Sequence, residues 1–182
     1  MVSPNKISIK RQSVLSPAEI QFESLFKEKT EDGSVYEGEA RDGIRHGKGK
    51  VTYKDGRIFE GQFEHGRATG NGTLRYKTGK VCYEGAFNDT AFEGQGVLQS
   101  EAPIPLHGAF NYRNLDKVEN HWIKYEGEFR NGKRHGQGTL VLSNGEKFVG
   151  QFRDDQVSGR GTYHALNGQT IEGQWENGVW RD

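Results

Sequence analysis

The chain carries residue types that perform chemistry, and their spacing comes first. Its six histidines are His46, His65, His107, His121, His135 and His164. None stands at metal-ligand spacing from a second His or Cys, and the single thiol, Cys82, leaves no multi-thiolate site and no intramolecular disulfide. Gly-x-Gly runs such as Gly94-Gln95-Gly96 are followed by no helix pattern and no Lys-Ser/Thr, so they are not phosphate loops. Glu37, Glu60, Glu84, Glu126 and Glu172 recur at one repeating position, beside the polar column Lys48, Asn71, Gln95, Gln137 and Arg160. Such columns describe a solvated sheet face, not a pair of catalytic carboxylates. No catalytic, metal or cofactor site is expected, and the chain reads as a non-enzyme.

Composition narrows the class. Lys plus Arg and Asp plus Glu are both 25, so no basic excess is available to hold nucleic acid. Glycine reaches 26 of 182 residues, with 10 Phe, 7 Tyr and 3 Trp. A chain rich in glycine and aromatics but poor in aliphatics suits thin β-structure better than a thick core. No apolar run is long enough for a spanning helix, and no secretory or lipidation signal is read, so an intracellular protein is expected.

Self-comparison exposes the elements. An apolar or aromatic residue followed two positions later by glycine begins at Tyr36, Phe59, Tyr83, Leu106, Tyr125, Phe148 and Ile171, at intervals of 23 or 24 residues with one of 19. Two positions past each glycine stand Ala40, Phe63, Phe87, Phe110, Phe129, Phe152 and Trp175. Gly-x-Gly pairs and turn glycines follow in register. Each unit reads as a β-hairpin: a period-two strand, a first turn such as Asn131-Gly132, a Gly-x-Gly strand, and a second turn such as Ser143-Asn144-Gly145. Strand glycines are costly, so their repetition requires a use: without Cβ, a neighbouring ring can lie flat on the backbone.

The run Tyr125-Glu-Gly-Glu-Phe-Arg-Asn-Gly-Lys-Arg-His-Gly-Gln-Gly-Thr139, with its counterpart from Tyr36, resembles the MORN repeat. The resemblance covers residues 36–182, about six and a half units. It implies an all-β, elongated, single-layer antiparallel sheet of hairpin repeats with an aromatic groove, used as a scaffold or attachment module. Through the same resemblance, a ciliary, axonemal or other cytoskeletal assembly is the leading setting, with the cytoplasm otherwise. The candidate partner-binding residues are Tyr36, Phe59, Phe63, Tyr83, Phe87, Tyr125, Phe129, Phe148, Phe152 and Trp175, many of which must also hold the repeats together, so groove and core readings stay open residue by residue. The alternative is a peripheral module on acidic phospholipid, with Lys133, Arg134 and Lys147 as its candidate contacts and Lys48, Lys50, Lys54 and Arg57 as a second cluster.

Departures from the repeat carry further expectations. Residues 1–35 form an N-terminal arm, in which Ser16-Pro17-Ala18-Glu19 starts a short helix through about Lys29 with Phe22, Leu25 and Phe26 on one face. Ala40 replaces a strand aromatic; Thr90 and Asp155 replace first-turn glycines. The unit at 103–124 loses its Gly-x-Gly and contains Pro103 and Pro105. It reads either as a decayed hairpin with a longer loop or as a partner-facing loop anchored by Tyr112 and Trp122. The chain ends half-way through a unit, where an open sheet edge offers self-association.

Overall fold

The computed structural model describes residues 6–9 and 25–181. Fourteen strands follow one another: β1 Lys6–Ile9, β2 Leu25–Lys29, β3 Val35–Arg41, β4 Ile44–Thr52, β5 Ile58–Glu64, β6 Arg67–Arg75, β7 Val81–Asn88, β8 Ala91–Gln99, β9 Trp122–Arg130, β10 Lys133–Leu142, β11 Lys147–Arg153, β12 Gln156–His164, β13 Thr170–Glu176 and β14 Val179–Arg181. Each pairs with its chain neighbour, so one open sheet runs from β1 to β14 in sequence order. The chain is all-β, as its period-two units require.

The N-terminal helix is corrected where the structure describes it. Leu25–Lys29 is a strand, with Phe26 opposite Gly38 and Lys27 opposite Glu37. A strand satisfies the edge groups of β3, brings Phe26 to 6.1 Å from the Tyr36 ring and pairs Lys27 with Glu37 at 2.8 Å. The start of that helix, at 16–24, lies outside the described residues.

The first turns are two-residue turns with both φ values positive, as at Asn131 (50°) and Gly132 (80°). Thr90 (70°) and Asp155 (74°) keep this conformation without glycine. The second residue of these turns donates its N–H to the preceding hairpin: Gly66 to Arg45, Thr90 to Ala68, Gly132 to Phe92, Asp155 to Arg134 and Gly178 to Val157, at 2.7–3.0 Å. Hairpins are thereby tied at their tips as well as along their strands. In the second turns, Asp32, Asp55, Asn144 and Asn167 each accept the N–H two residues on, at 2.9–3.0 Å.

The two glycines of Gly-x-Gly have different reasons. The second belongs to an unbroken row from Gly38 to Gly173, each glycine opposite the next. A Cβ at Gly138 would meet the Tyr125 ring at 2.5 Å, so the ring lies on bare backbone as expected. The first glycine instead makes a bulge. Gly136 has φ of 56°, and the register shifts between His135 and Gly138. The Glu128 carboxylate then accepts the Gln137 N–H at 2.9 Å, and Glu39 does the same for Lys48 at 3.1 Å.

The irregular unit is no hairpin. β8 pairs directly with β9, Gly96 opposite Gly127, so the repeat continues across the interruption. Residues 100–121 leave the sheet as a strap containing a 3-10 turn at Leu115–Val118. Two prolines without N–H donors suit a segment held by side chains better than a strand inside a ladder.

Candidate binding face

Strand alternation puts all ring residues of the repeats on one face. They form a continuous edge-to-face zigzag: Tyr36–Phe63 at 5.0 Å, Phe59–Phe87 at 4.8 Å, Tyr83–Phe129 at 5.1 Å, Tyr125–Phe152 at 4.9 Å and Phe148–Trp175 at 5.0 Å. Such pairs add about 0.5–1.5 kcal/mol each beyond their burial. Tyr36, Tyr83 and Tyr125 also donate their hydroxyls to the carbonyls of Glu39, Ala86 and Glu128, at 2.6–2.9 Å. The structure brings together all ten aromatics expected on a groove wall, but as the core: Tyr36, Tyr83, Tyr125 and Trp175 are 0% exposed, and Phe87, the most exposed of the ten, is 6%. The glycine row lets the rings sink until they cover one another. Surface on this face belongs instead to half-buried Phe26, Tyr53, Tyr76, Phe92 and Leu98.

The C-terminal half of the face has an occupant, the strap. Tyr112 lies 5.8 Å from Tyr163 and 5.7 Å from Trp180, and its carbonyl accepts the Trp175 indole N–H at 2.9 Å. Leu115 and Val118 are buried among the core residues. Trp122 opens β9 opposite Leu142. Tyr112 therefore anchors the chain to itself, which corrects its expected role on a partner-facing loop. A cavity of about 250 Å³ remains beneath the 3-10 turn, lined by Leu115, Val118, Trp122, Arg134, Phe152 and Asp155 among others.

The strap also covers the terminal edge. Trp180 donates its N–H to Arg113 at 2.9 Å, Leu115 donates to Gly178 at 2.7 Å, and Asn114 faces Val179. Val179–Arg181 is the return strand of the last hairpin, and its outer side is paired at Gly178–Trp180. The open edge expected there for self-association is already taken by the chain's own residues.

Glu146 holds the strap and is the residue sequence reasoning missed. It is 1% exposed. Its carboxylate accepts from the Phe110 N–H (2.7 Å), the Asn144 amide (2.8 Å), the Tyr163 hydroxyl (2.8 Å) and the Leu166 N–H (3.2 Å). Burial raises its pKa, and these donors together outweigh burial and hold it below the ordinary glutamate value. Nothing local marks it, since a glutamate after Asn-Gly in a turn reads as solvated.

The expected lipid contacts do not form one patch. Arg134 shares the aromatic face with Phe129, lies within 6 Å of the Trp122, Tyr125 and Phe152 rings, and bonds Asp155. Lys133 and Lys147 alternate to the opposite face. The glutamate column lies there too, with Glu37, Lys50 and Glu60 in cross-strand succession. Among the described residues no group of three His, Cys, Asp or Glu is placed to hold a metal ion, and no helix is long and apolar enough to cross a membrane.

An open sheet of stacked hairpins, with a glycine row under a ring zigzag, defines a β-hairpin repeat protein. The MORN repeat model matches residues 36–56, 59–81, 83–101, 125–147 and 148–170. The chain belongs to the MORN repeat family, whose repeats serve generally as protein- or membrane-binding modules without catalytic machinery. Residues 102–124, which hold nearly all of the strap, and the last half-unit from 171 fall outside the matched segments. A comparison with curated proteins gave no match.

Proposed function

We propose that this chain is a non-enzymatic scaffold that binds partner proteins through the N-terminal half of its aromatic face, as a component of a ciliary, axonemal or other cytoskeletal assembly. One observation carries the binding role. The same face is covered over β10–β14 by the chain's own strap, whereas over β3–β8 its equivalent positions keep Tyr53, Tyr76 and Phe92 half-buried. A face built to hold an extended segment in one half supports a partner's segment in the other. The setting rests on the family resemblance. The absence of an enzyme role rests on the family's non-catalytic character. The acidic-membrane alternative is weakened by Arg134, which is committed to Asp155 and three rings.

Extraction of ciliated cells tests this reading. Retention of the native protein in the detergent-insoluble pellet through about 0.5 M salt, where exposed charge pairs are screened, is the expected result. Release by detergent alone favours a membrane module, and release in plain buffer overturns the assembly. A Tyr53→Ala, Phe92→Ala chain that folds normally is expected to leave the pellet.

A further inference from the structure

The face opposite the rings carries a different charge in each half of the sheet. Over β3–β8, strand alternation sends Arg41, Lys48, Lys50, Arg67 and Arg75 to it, and Glu39, Glu60, Glu64, Glu84 and Glu93 match them. Over β9–β14 the balance is lost. Lys124 pairs with Glu126 at 2.9 Å, and Arg181 with Glu176 at 3.0 Å. Arg130, Lys133, Lys147, Arg153 and Arg160 then share the face with two further carboxylates, Glu128 and Glu172. Glu128 is already engaged by the Gln137 N–H at 2.9 Å. All five cations are exposed, and their charged ends have no described partner.

Four of these cations form a strip across neighbouring strands. Arg130 and Lys133 are direct partners on β9 and β10, Arg153 follows on β11 and Arg160 on β12. Strands stand about 4.8 Å apart, so the strip is roughly 14 Å long, the reach of about four extended residues. Two recesses open along it, and Gln137 lines both. The smaller, of about 240 Å³, also takes Gln151, Arg153, Ser158 and the engaged Glu128. The larger, of about 820 Å³, also takes Arg160, Thr162, Gln174 and Glu172. Amides and hydroxyls in the recesses suit a peptide main chain, and the cations suit carboxylates. Among the described residues this face shows no exposed aromatic ring to stack on a base or enter a lipid interface.

We infer that this strip binds an acidic segment of a partner protein. The segment lies across β9–β12, with carboxylates at Arg130, Lys133, Arg153 and Arg160 and its main chain on the Gln137 and Gln151 amides. The strip is on the other side of the sheet from the rings, so it adds a contact beyond the scaffold reading above and independent of the ring face.

The test uses the full chain and a synthetic decapeptide of alternating glutamate and serine. A decapeptide of alternating lysine and serine and vesicles of mixed phosphatidylcholine and phosphatidylserine are compared. At low salt the acidic peptide is expected to bind in the millimolar range or tighter and to shift the amide resonances around 130–137 and 151–160. Its affinity is expected to fall about tenfold or more in R130E/K133E/R153E, from three reversed surface contacts. The neutral R130Q/K133Q/R153Q chain should show a smaller loss, and K48E/K50E on the balanced half none. An unchanged melting curve controls for folding in each. The proposal is overturned by absent binding, by equal affinity for the lysine peptide, or by undiminished affinity in both strip variants. An equal loss in K48E/K50E overturns it too, as does tighter capture by the vesicles through the same three residues. The Tyr53→Ala, Phe92→Ala chain should bind the acidic peptide unchanged, so failure of the strip and failure of the ring-face reading are seen separately.

Discussion

The Glu146 carboxylate accepts the main-chain N–H of Phe110 at 2.7 Å across 36 residues of sequence. No described cation pairs with it, and its charge is balanced by donors from the strap, from Asn144 of its own turn, from Tyr163 of β12 and from Leu166 of the next turn. Replacing Glu146 with Gln puts an amide donor among groups that are themselves donors. Chains with E146Q are expected to lose about 2–4 kcal/mol, the scale of a buried charged acceptor removed from its partners. Amide exchange should accelerate at Phe110 before it does at Tyr36. Unchanged protection at Phe110 would remove Glu146 from its role as the strap's anchor.

Because the Glu146 pKa is lowered in the fold, its contribution is present above the ordinary value of 4.5 and is lost as pH falls through the lowered value. The wild-type strap should loosen in that acid window, seen as rising accessibility of Trp175 and Trp180 to a fluorescence quencher. In E146Q that pH dependence should disappear.

At the alkaline end the tyrosines of the zigzag act in the opposite direction. Burial pushes Tyr36 and Tyr83 up to about 12 from an ordinary 10.0, and raises Tyr125 and Tyr163 as well. Groups that keep their protons in the fold and lose them in the unfolded chain stabilise fully below pH 10. That contribution declines as pH rises from 10 toward 12. Tyrosinate absorbance and loss of the β signal in circular dichroism should therefore change together, as one transition.

Gly138→Ala and Gly132→Ala separate two uses of glycine. A Cβ at Gly138 meets the Tyr125 ring, whereas one at Gly132 meets nothing within 4 Å but sits at φ of 80°. The first change is expected to cost about 3 kcal/mol or more through overpacking of the ring row, and the second about 1 kcal/mol through strain. Thermal melts that reversed this order would refute the ring-on-glycine account.

Thr90 and Asp155 occupy the same turn position with positive φ, yet glycine should act oppositely at the two. Thr90→Gly relieves a β-branched residue at 70° for the loss of a 3.3 Å bond from Ala68, and should raise stability by about 0.5–1 kcal/mol. Asp155→Gly also removes the carboxylate that accepts from the Arg134 N–H at 2.9 Å and faces its guanidinium. That loss should offset the relief and leave the chain less stable, by about 1 kcal/mol.

Much of the fold is legible in the residues because each repeat is a local device. A period-two ring pattern, paired glycines and turn dipeptides determine a hairpin within some twenty residues, and the repetition determines that hairpins stack. Even Asp155, which departs from the turn consensus, keeps the turn because its side chain bonds the neighbouring hairpin. The Leu25–Lys29 segment is harder to read, since the spacing of Phe22, Leu25 and Phe26 fits a helix and Leu25-Phe26-Lys27-Glu28-Lys29 shows no apolar alternation of its own. The unpaired edge of β3 decides for the strand.

What sequence alone determined is therefore the architecture: an all-β ladder of MORN hairpins, with the strand aromatics of the repeats alternating onto one face. Only the tertiary structure decided what that face is available for. Sinking the rings onto bare glycine backbone turned a presumed groove wall into the core. Folding residues 100–121 back over β10–β14 closed half of the face and the terminal edge. Contacts such as Glu146 with Phe110, or Trp175 with Tyr112, join groups 36 and 63 residues apart. They have no period and no local signature, because they depend on where the sheet receives a segment that has left the repeat.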